Sequence, residues 1–163
     1  MELRPLMTLR LNTAPVQNIG ATPFGTRVTF PITGGFFEGE RLCGRTLPGG
    51  DDWTRTRSDG VIELDLRVSL ETDEGALIHM TFEGIRDDGA LIHMASFGLR
   101  HGPPDVIAAL ARGESVDPST YYFRTTPRFD TGHPKYAFLN RLVAVSSGDR
   151  RPEGPIYTIE EIL

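Results

Sequence analysis

Between Val61 and Thr72 the chain alternates apolar and polar residues without a break. Ile62, Leu64, Leu66, Val68 and Leu70 fall on one side of an extended chain. Glu63, Asp65, Arg67, Ser69 and Glu71 fall on the other. A period of two is the repeat of a β-strand, so this segment predicts a strand with one dry and one wet face. Slipping the pairing by one residue would turn every apolar side chain into water, so the register is strongly held.

Such a strand needs neighbours to cover its dry face, and the chain offers several. "TRVTFPI" (Thr26 to Ile32), "RLVAVSS" (Arg141 to Ser147) and the closing "PIYTIEEIL" are short and rich in β-formers. Between them, 18 glycines and 12 prolines act as punctuation, as in "TPFG", "PITGG", "LPGGDD", "DDG", "TGHP" and "RPEGP". Short strands at this spacing predict an antiparallel sandwich or barrel. One segment is helical. In "HGPPDVIAALARG" two prolines open the first turn, Asp105 sits near the positive helix end, and Gly113 follows the last periodic residue. That predicts a short α-helix near residues 103–112, too short to stand alone in water and therefore laid against something.

A chain of 163 residues fits one domain, residues 1–163, with enough length to bury a core. Its net charge is −5, its arginines are scattered, and Lys135 is its only lysine. Without a basic stripe to neutralise phosphates, no nucleic-acid partner is expected. No apolar run has the length of a signal peptide or a membrane span, so no membrane partner is expected and the cytoplasm is the expected compartment. Cys43 is the only cysteine, which excludes an internal disulfide and a zinc site built from cysteines. Set between Leu42 and Gly44 in a strand, it reads as a buried, inert thiol.

"GALIHM" occurs at residues 75–80 and again at 89–94. Each copy is strand-like, and Asp88-Gly89 between them is a hairpin signal. A two-residue turn there would put His79 and His93 on opposite faces. A three-residue turn with a glycine bulge would put them on one face. No third ligand is spaced to complete a zinc site, so no metal is expected, nor any other cofactor. A tandem duplication that lengthens a hairpin over residues 74–101 accounts for the echo.

Four stretches taken in order, "PITGGFFEGERLCGRTLPGGDDW", "RSDGVIELDLRVSLETDEGALI", "RHGPPDVIAALARGESVDPSTYYFRTTPRFDTG" and "KYAFLNRLVAVSSG", span most of residues 20–148. Through them the chain resembles the DUF3237 (UPF0311) family, small bacterial and fungal barrels mostly without an assigned activity. The resemblance implies an all-β fold: a closed antiparallel up-and-down β-barrel, calycin- or lipocalin-like, with the short helix against one end and room for one small ligand. Against the family pattern the second "GALI" copy looks like an insertion, and Phe138 stands where Trp is common. Fold alone does not dictate chemistry.

Asp52 and Trp53 follow the "LPGG" turn at what would be a barrel mouth. Trp53 could lie against an apolar ligand while Asp52 accepts a hydrogen bond or a proton; equally, Trp53 could plug the barrel and Asp52 cap the turn. Glu38 sits between glycines, and a carboxylate projecting into a dry barrel would serve as general acid or base; on a wet face it would be merely solvated. Arg45 in "CGRTL" is a weaker candidate. In "YYFRTTPRF", Tyr122 and Arg124 share one face of an extended chain, and Tyr121, Phe123 and Thr125 share the other, core-like face. Arg124 could anchor a carboxylate or enolate, or pair with Asp52 or Glu38. "KYAFLNR" adds Tyr136 and Asn140, the latter either a carbonyl ligand or satisfied by backbone. No GxSxG elbow, P-loop or GxGxxG motif occurs.

The leading expectation is a barrel that holds a small, partly apolar organic metabolite in its interior. Trp53 and Tyr122 would supply apolar contact, Arg124 and Asn140 would fix a polar end, and Tyr136 is a further ligand-binding candidate. The first alternative is a cofactor-independent isomerase, cyclase or hydrolase acting on a carbonyl substrate through Asp52 or Glu38. The second is a structural or interaction domain with a filled barrel. A homodimer is compatible with each.

Overall fold

The structure, a computed structural model, describes residues 1–73 and 90–163. The alternating segment forms strand β6 (Ile62–Thr72), and its five dry-face residues are all buried. On one side it pairs with β7 (Leu91–His101), from Ile62↔Arg100 to Glu71↔Leu91. On the other, two short strands share one position: β4 (Cys43–Thr46) and then β5 (Gly50–Thr56). Both pair in turn with β3 (Gly25–Glu38).

From β7 the sheet continues through β8 (Tyr122–Asp130), β9 (Ala144–Arg150), β10 (Pro155–Ile162) and β1 (Leu3–Thr13). Pairing of β1 with β3 closes the circle. The result is an antiparallel barrel of eight strand positions, neighbours in sequence being neighbours in space. Closure removes the two outer edges that an open sheet of these strand positions would leave. β2 (Gln17–Thr22) pairs with the first half of β3, beyond the part that holds β1, so the β2–β3 hairpin runs on past the barrel wall at one end.

At that end lies the helix α1 (Pro104–Ala111), where the sequence placed it. Pro104 occupies its first turn, Leu110 is buried, and Val106 and Ile107 pack on the core. "KYAFLNR" is not extended. It is a 3₁₀ helix (Pro134–Arg141) rather than a strand, opened by a proline that cannot donate to a sheet ladder. Tyr136 and Leu139 point from it into the core. β8 and β9 pair only at Arg124↔Ser147 and Thr125↔Ser146, and this helix occupies the chain between them.

The expected hollow centre is corrected by the side chains. Leu9, Phe37, Leu66, Val68, Leu70, Ile92, Met94 and Ile159 are each at most 2% exposed and fill the middle of the barrel. Eight strands enclose a space just wide enough for such side chains to meet. Across β7, β8 and β9 the interior also holds a row of hydroxyls: Ser96 Oγ donates to Thr125 Oγ1 (2.8 Å), which shares a hydrogen with Ser146 Oγ (2.6 Å).

Cys43 is exposed, not buried. Alternation on β4 gives the inward position to Gly44, where a Cβ would stand 2.8 Å from the Phe37 ring. The second "GALIHM" copy runs into β7, with Ile92 and Met94 inward and His93 outward. The first copy, His79 and the expected turn lie outside the described residues.

Candidate ligand site at the barrel mouth

The end of the barrel beneath α1 is built differently from the filled middle. β7 and β9 each finish on the same five-residue pattern, "SFGLR" (Ser96 to Arg100) and "SSGDR" (Ser146 to Arg150). With a period of two, the serine, glycine and arginine of each copy all face inward. The serines flank Thr125 of β8. Gly148 leaves space for the Phe123 ring, and Gly98 leaves space for Thr125. The arginines then reach over the barrel end. Arg100 lies over the Phe123 ring at 5.5 Å, and Arg150 over Phe30 at 5.4 Å. The Arg150 backbone N–H donates to the Tyr121 hydroxyl at 2.8 Å.

Asp52 faces these arginines from β5. Its pairing opposite Leu66 turns it inward, and the pairing of Trp53 with Asp65 turns that residue outward. The Asp52 side chain is buried, yet its Oδ1 has no hydrogen-bond partner, and neither has Arg100 Nε. Buried polar atoms are normally paired, so two orphans at one place call for an explanation. Burial pushes the Asp52 carboxyl up to about 6, with Arg100 pulling the other way. Burial lowers the pKa of both guanidiniums and raises that of the Tyr157 hydroxyl, on β10 close by.

Two spaces meet at the arginines. The inner one, against Asp52, Leu64, Leu66 and Tyr157, offers about 10 Å³ to the centre of a water-sized sphere, room for a single water. The outer one is a vestibule of about 530 Å³, walled by Val28, Thr54, Ile62, Ile107 and Leu110. Thr13, Phe30, Arg100 and Arg150 line both. The arginines therefore form the vestibule floor and the inner cavity's roof.

Against known families, the chain matches the profile described as "Protein of unknown function (DUF3237)" over residues 1–87 and 85–162. The chain belongs to the DUF3237 family. The two matched pieces meet inside the "GALIHM" repeat. A UPF0311 protein of Rhodopseudomonas palustris is 34% identical over 100% of this chain and 97% of its own length. A UPF0311 protein of Clostridium acetobutylicum is 36% identical over 85% of this chain and 78% of its own. Among solved structures, a conserved protein of unknown function from R. palustris superposes with a TM-score of 0.88 at 34% identity, covering 99% of this chain and 97% of that one. A β-barrel-like protein from Acinetobacter baumannii gives 0.78 at 40% identity, covering 98% and 94%. An enzyme from Penicillium herquei shares the fold at 18% identity, with a TM-score of 0.67 over 99% of this chain and 94% of that one.

Within this DUF3237 barrel the residues singled out from sequence fall in four places. Asp52 alone joins the mouth. Trp53, Tyr122 and Arg124 lie on the outer face, which corrects their expected place in the interior. Trp53 is 49% exposed and Tyr122 is 44% exposed. Tyr122 is stacked on His101 at 4.9 Å, and Arg124 lies over the Tyr122 ring at 5.4 Å. Strand parity is the cause, because each neighbours an inward residue: Asp52 for Trp53, Phe123 for Tyr122 and Arg124. Glu38 is exposed on the outside of β3, in a groove with Thr8, Arg10 and Phe36. Arg45 is also outward, paired with Glu71. Tyr136 is buried in the 3₁₀ helix, and Asn140 holds the Thr131 backbone N–H and carbonyl at 3.0 and 2.9 Å. Asn140 is thus satisfied by backbone, away from the mouth. Trp53→Ala is accordingly expected to change stability by about 1 kcal/mol or less, as for a half-exposed surface side chain. Calorimetric melting of the variant checks this.

Arg100, Arg150 and Tyr157 were not singled out from sequence. The duplicated Ser-x-Gly-x-Arg pattern at two strand ends is the signal that finds the arginines. Among the described residues no His, Cys, Asp and Glu side chains gather in a group suited to a metal ion, and no helix is long and apolar enough to cross a membrane.

Proposed function

We propose that this protein binds a small, partly apolar organic molecule at the mouth of the barrel, with its body in the vestibule and a polar end at Arg100, Arg150 and Asp52. The cytoplasm is the compartment this reading assumes. The observation that carries it is the pair of buried, unpartnered atoms beneath an apolar space: Arg100 Nε, on a side chain that lines the vestibule, and Asp52 Oδ1, on a side chain that lines the inner cavity below it. Leaving such groups unsatisfied costs roughly 1–3 kcal/mol each, and a ligand or an ordered water repays it. A few convergent polar groups beneath an apolar wall is the usual construction of a small-molecule site. A purely structural barrel would gain stability by replacing them with aliphatic side chains like those in its middle.

The test is thermal unfolding against a set of small organic acids, ketones and amides, run on the wild type and on Val28→Trp. Val28 lines the vestibule and not the inner cavity. Compounds that raise the wild-type midpoint are expected to lose that effect in the variant. A set that leaves the wild type unmoved, or that stabilises both proteins equally, rejects the mouth as the binding site.

A further inference from the structure

We propose that the ligand enters with a carboxylate end, held between Arg100 and Arg150, and that Asp52 is protonated in the complex, so that one proton is taken up with each ligand. This rests on the mouth being the binding site. The arrangement of charges at the mouth supports this proposal. Asp52 on β5 faces Arg100 from β7, Arg150 from β9 and Tyr157 from β10; Asp65 of β6 is near it but on the outer face, and β3 contributes only Phe30 and Ile32. Tyr121, just before β8, and Glu153, in the turn after β9, bear on the arginines. Two guanidiniums therefore face one carboxylate.

Arg100 Nε is a free donor and matches an acceptor oxygen. Guanidinium is also the side chain suited to carboxylate, because its donors lie in one plane. A ligand carboxylate placed beside Asp52 repels its negative charge and so favours the protonated form of Asp52, as for two carboxylates in one site. With Asp52 protonated, the arginines turn wholly to the ligand and Oδ1 is no longer a bare negative atom. Burial already holds the Asp52 carboxyl near about 6, so the protonated form lies within easy reach. Proton uptake at this site makes binding weaken as pH rises.

The experiment is isothermal titration of the full chain with 4-phenylbutyrate and benzoate, each beside its neutral amide, from about pH 5 to about pH 8. Each carboxylate is expected to bind at least about tenfold more tightly than its amide at the acid end. Its affinity is expected to fall by up to about tenfold per pH unit once Asp52 ionises. Titration in two buffers of different ionisation enthalpy should show about one proton taken up per carboxylate bound near neutral pH. Asp52→Asn keeps the preference for carboxylate and loses the pH dependence, while Arg100→Gln or Arg150→Gln loses the preference. Should Arg100→Gln fail to fold, the Arg150 variant and the proton count on the wild type decide the matter. If amide and carboxylate bind equally at the mouth, the carboxylate inference falls and the binding reading stands. If affinity for carboxylate is flat with pH in the wild type, the role of Asp52 falls. If no compound binds, both readings fall.

Discussion

Gly148→Ala is expected to lower stability by about 2–3 kcal/mol, the range of an overpacked core. A Cβ at this position would stand 2.5–2.6 Å from three atoms of the Phe123 ring. That ring has nowhere to go. It is 1% exposed, it meets the Tyr157 ring edge-on at 5.5 Å, and Arg100 lies over it. Moving it would displace two members of the mouth. For a chain of this size the loss corresponds to a midpoint lower by about 5–10 °C. Gly132→Ala is the matched control, since a Cβ there meets nothing within 4 Å and its backbone is not in the left-handed region. It is expected to change stability by about 0.5 kcal/mol or less. Calorimetric melting of the two variants side by side checks the claim, and equal midpoints would remove Gly148 from the account of how the mouth is shaped.

Asp52→Asn is expected to stabilise the unliganded protein at neutral pH. The Asp52 carboxyl holds its proton more tightly in the folded chain, at about 6, than in the unfolded chain, at 3.8. Its favourable contribution is therefore complete below 3.8 and is lost as pH climbs through about 6. The interval is worth about 3 kcal/mol. Asparagine keeps the shape and cannot ionise. The variant should match the wild type at about pH 4, draw ahead between about pH 4 and pH 6, and stay ahead by up to about 3 kcal/mol above that. Denaturant melts of both proteins across this range measure the difference directly, and unrelated titrations cancel between them. A variant less stable than the wild type at about pH 8 would mean that Arg100 and Arg150 more than offset the burial of the charge.

These two sites also show how far the fold and the mouth were legible in the sequence. β6 was readable because one face is dry and the other wet, so hydrophobic period and structure agree residue by residue. α1 was readable from its prolines and its closing glycine, which act locally. Residues 134–141 were not, because the segment mixes Lys135 and Arg141 with Tyr136 and Leu139 at no strand period, and Pro134 alone hinted against a strand. At the opening of β5, Trp53 drew attention by size while its neighbour Asp52 held the interior. Its parity follows from the pairing: a three-residue turn at Ser58, Asp59 and Gly60 sets Thr56 opposite Ile62 and so Asp52 opposite Leu66, on the dry face. The arginines were passed over because a charged residue at a strand end is usually solvated. Only the glycine two positions before each, making room for a ring or a methyl group inside the barrel, marks Arg100 and Arg150 as inward. The filled centre had no local signature at all, since it depends on eight strands meeting with bulky residues at the same depth.

A crystal structure of the protein grown with 4-phenylbutyrate at about pH 5 examines the main claim most directly. The account predicts the carboxylate within hydrogen-bond distance of both Arg100 and Arg150, Asp52 beside it, and the phenyl ring in the vestibule against Val28 and Ile107. An empty mouth with the ligand bound instead on the outer face near Trp53, Phe97 and Tyr122 would contradict it.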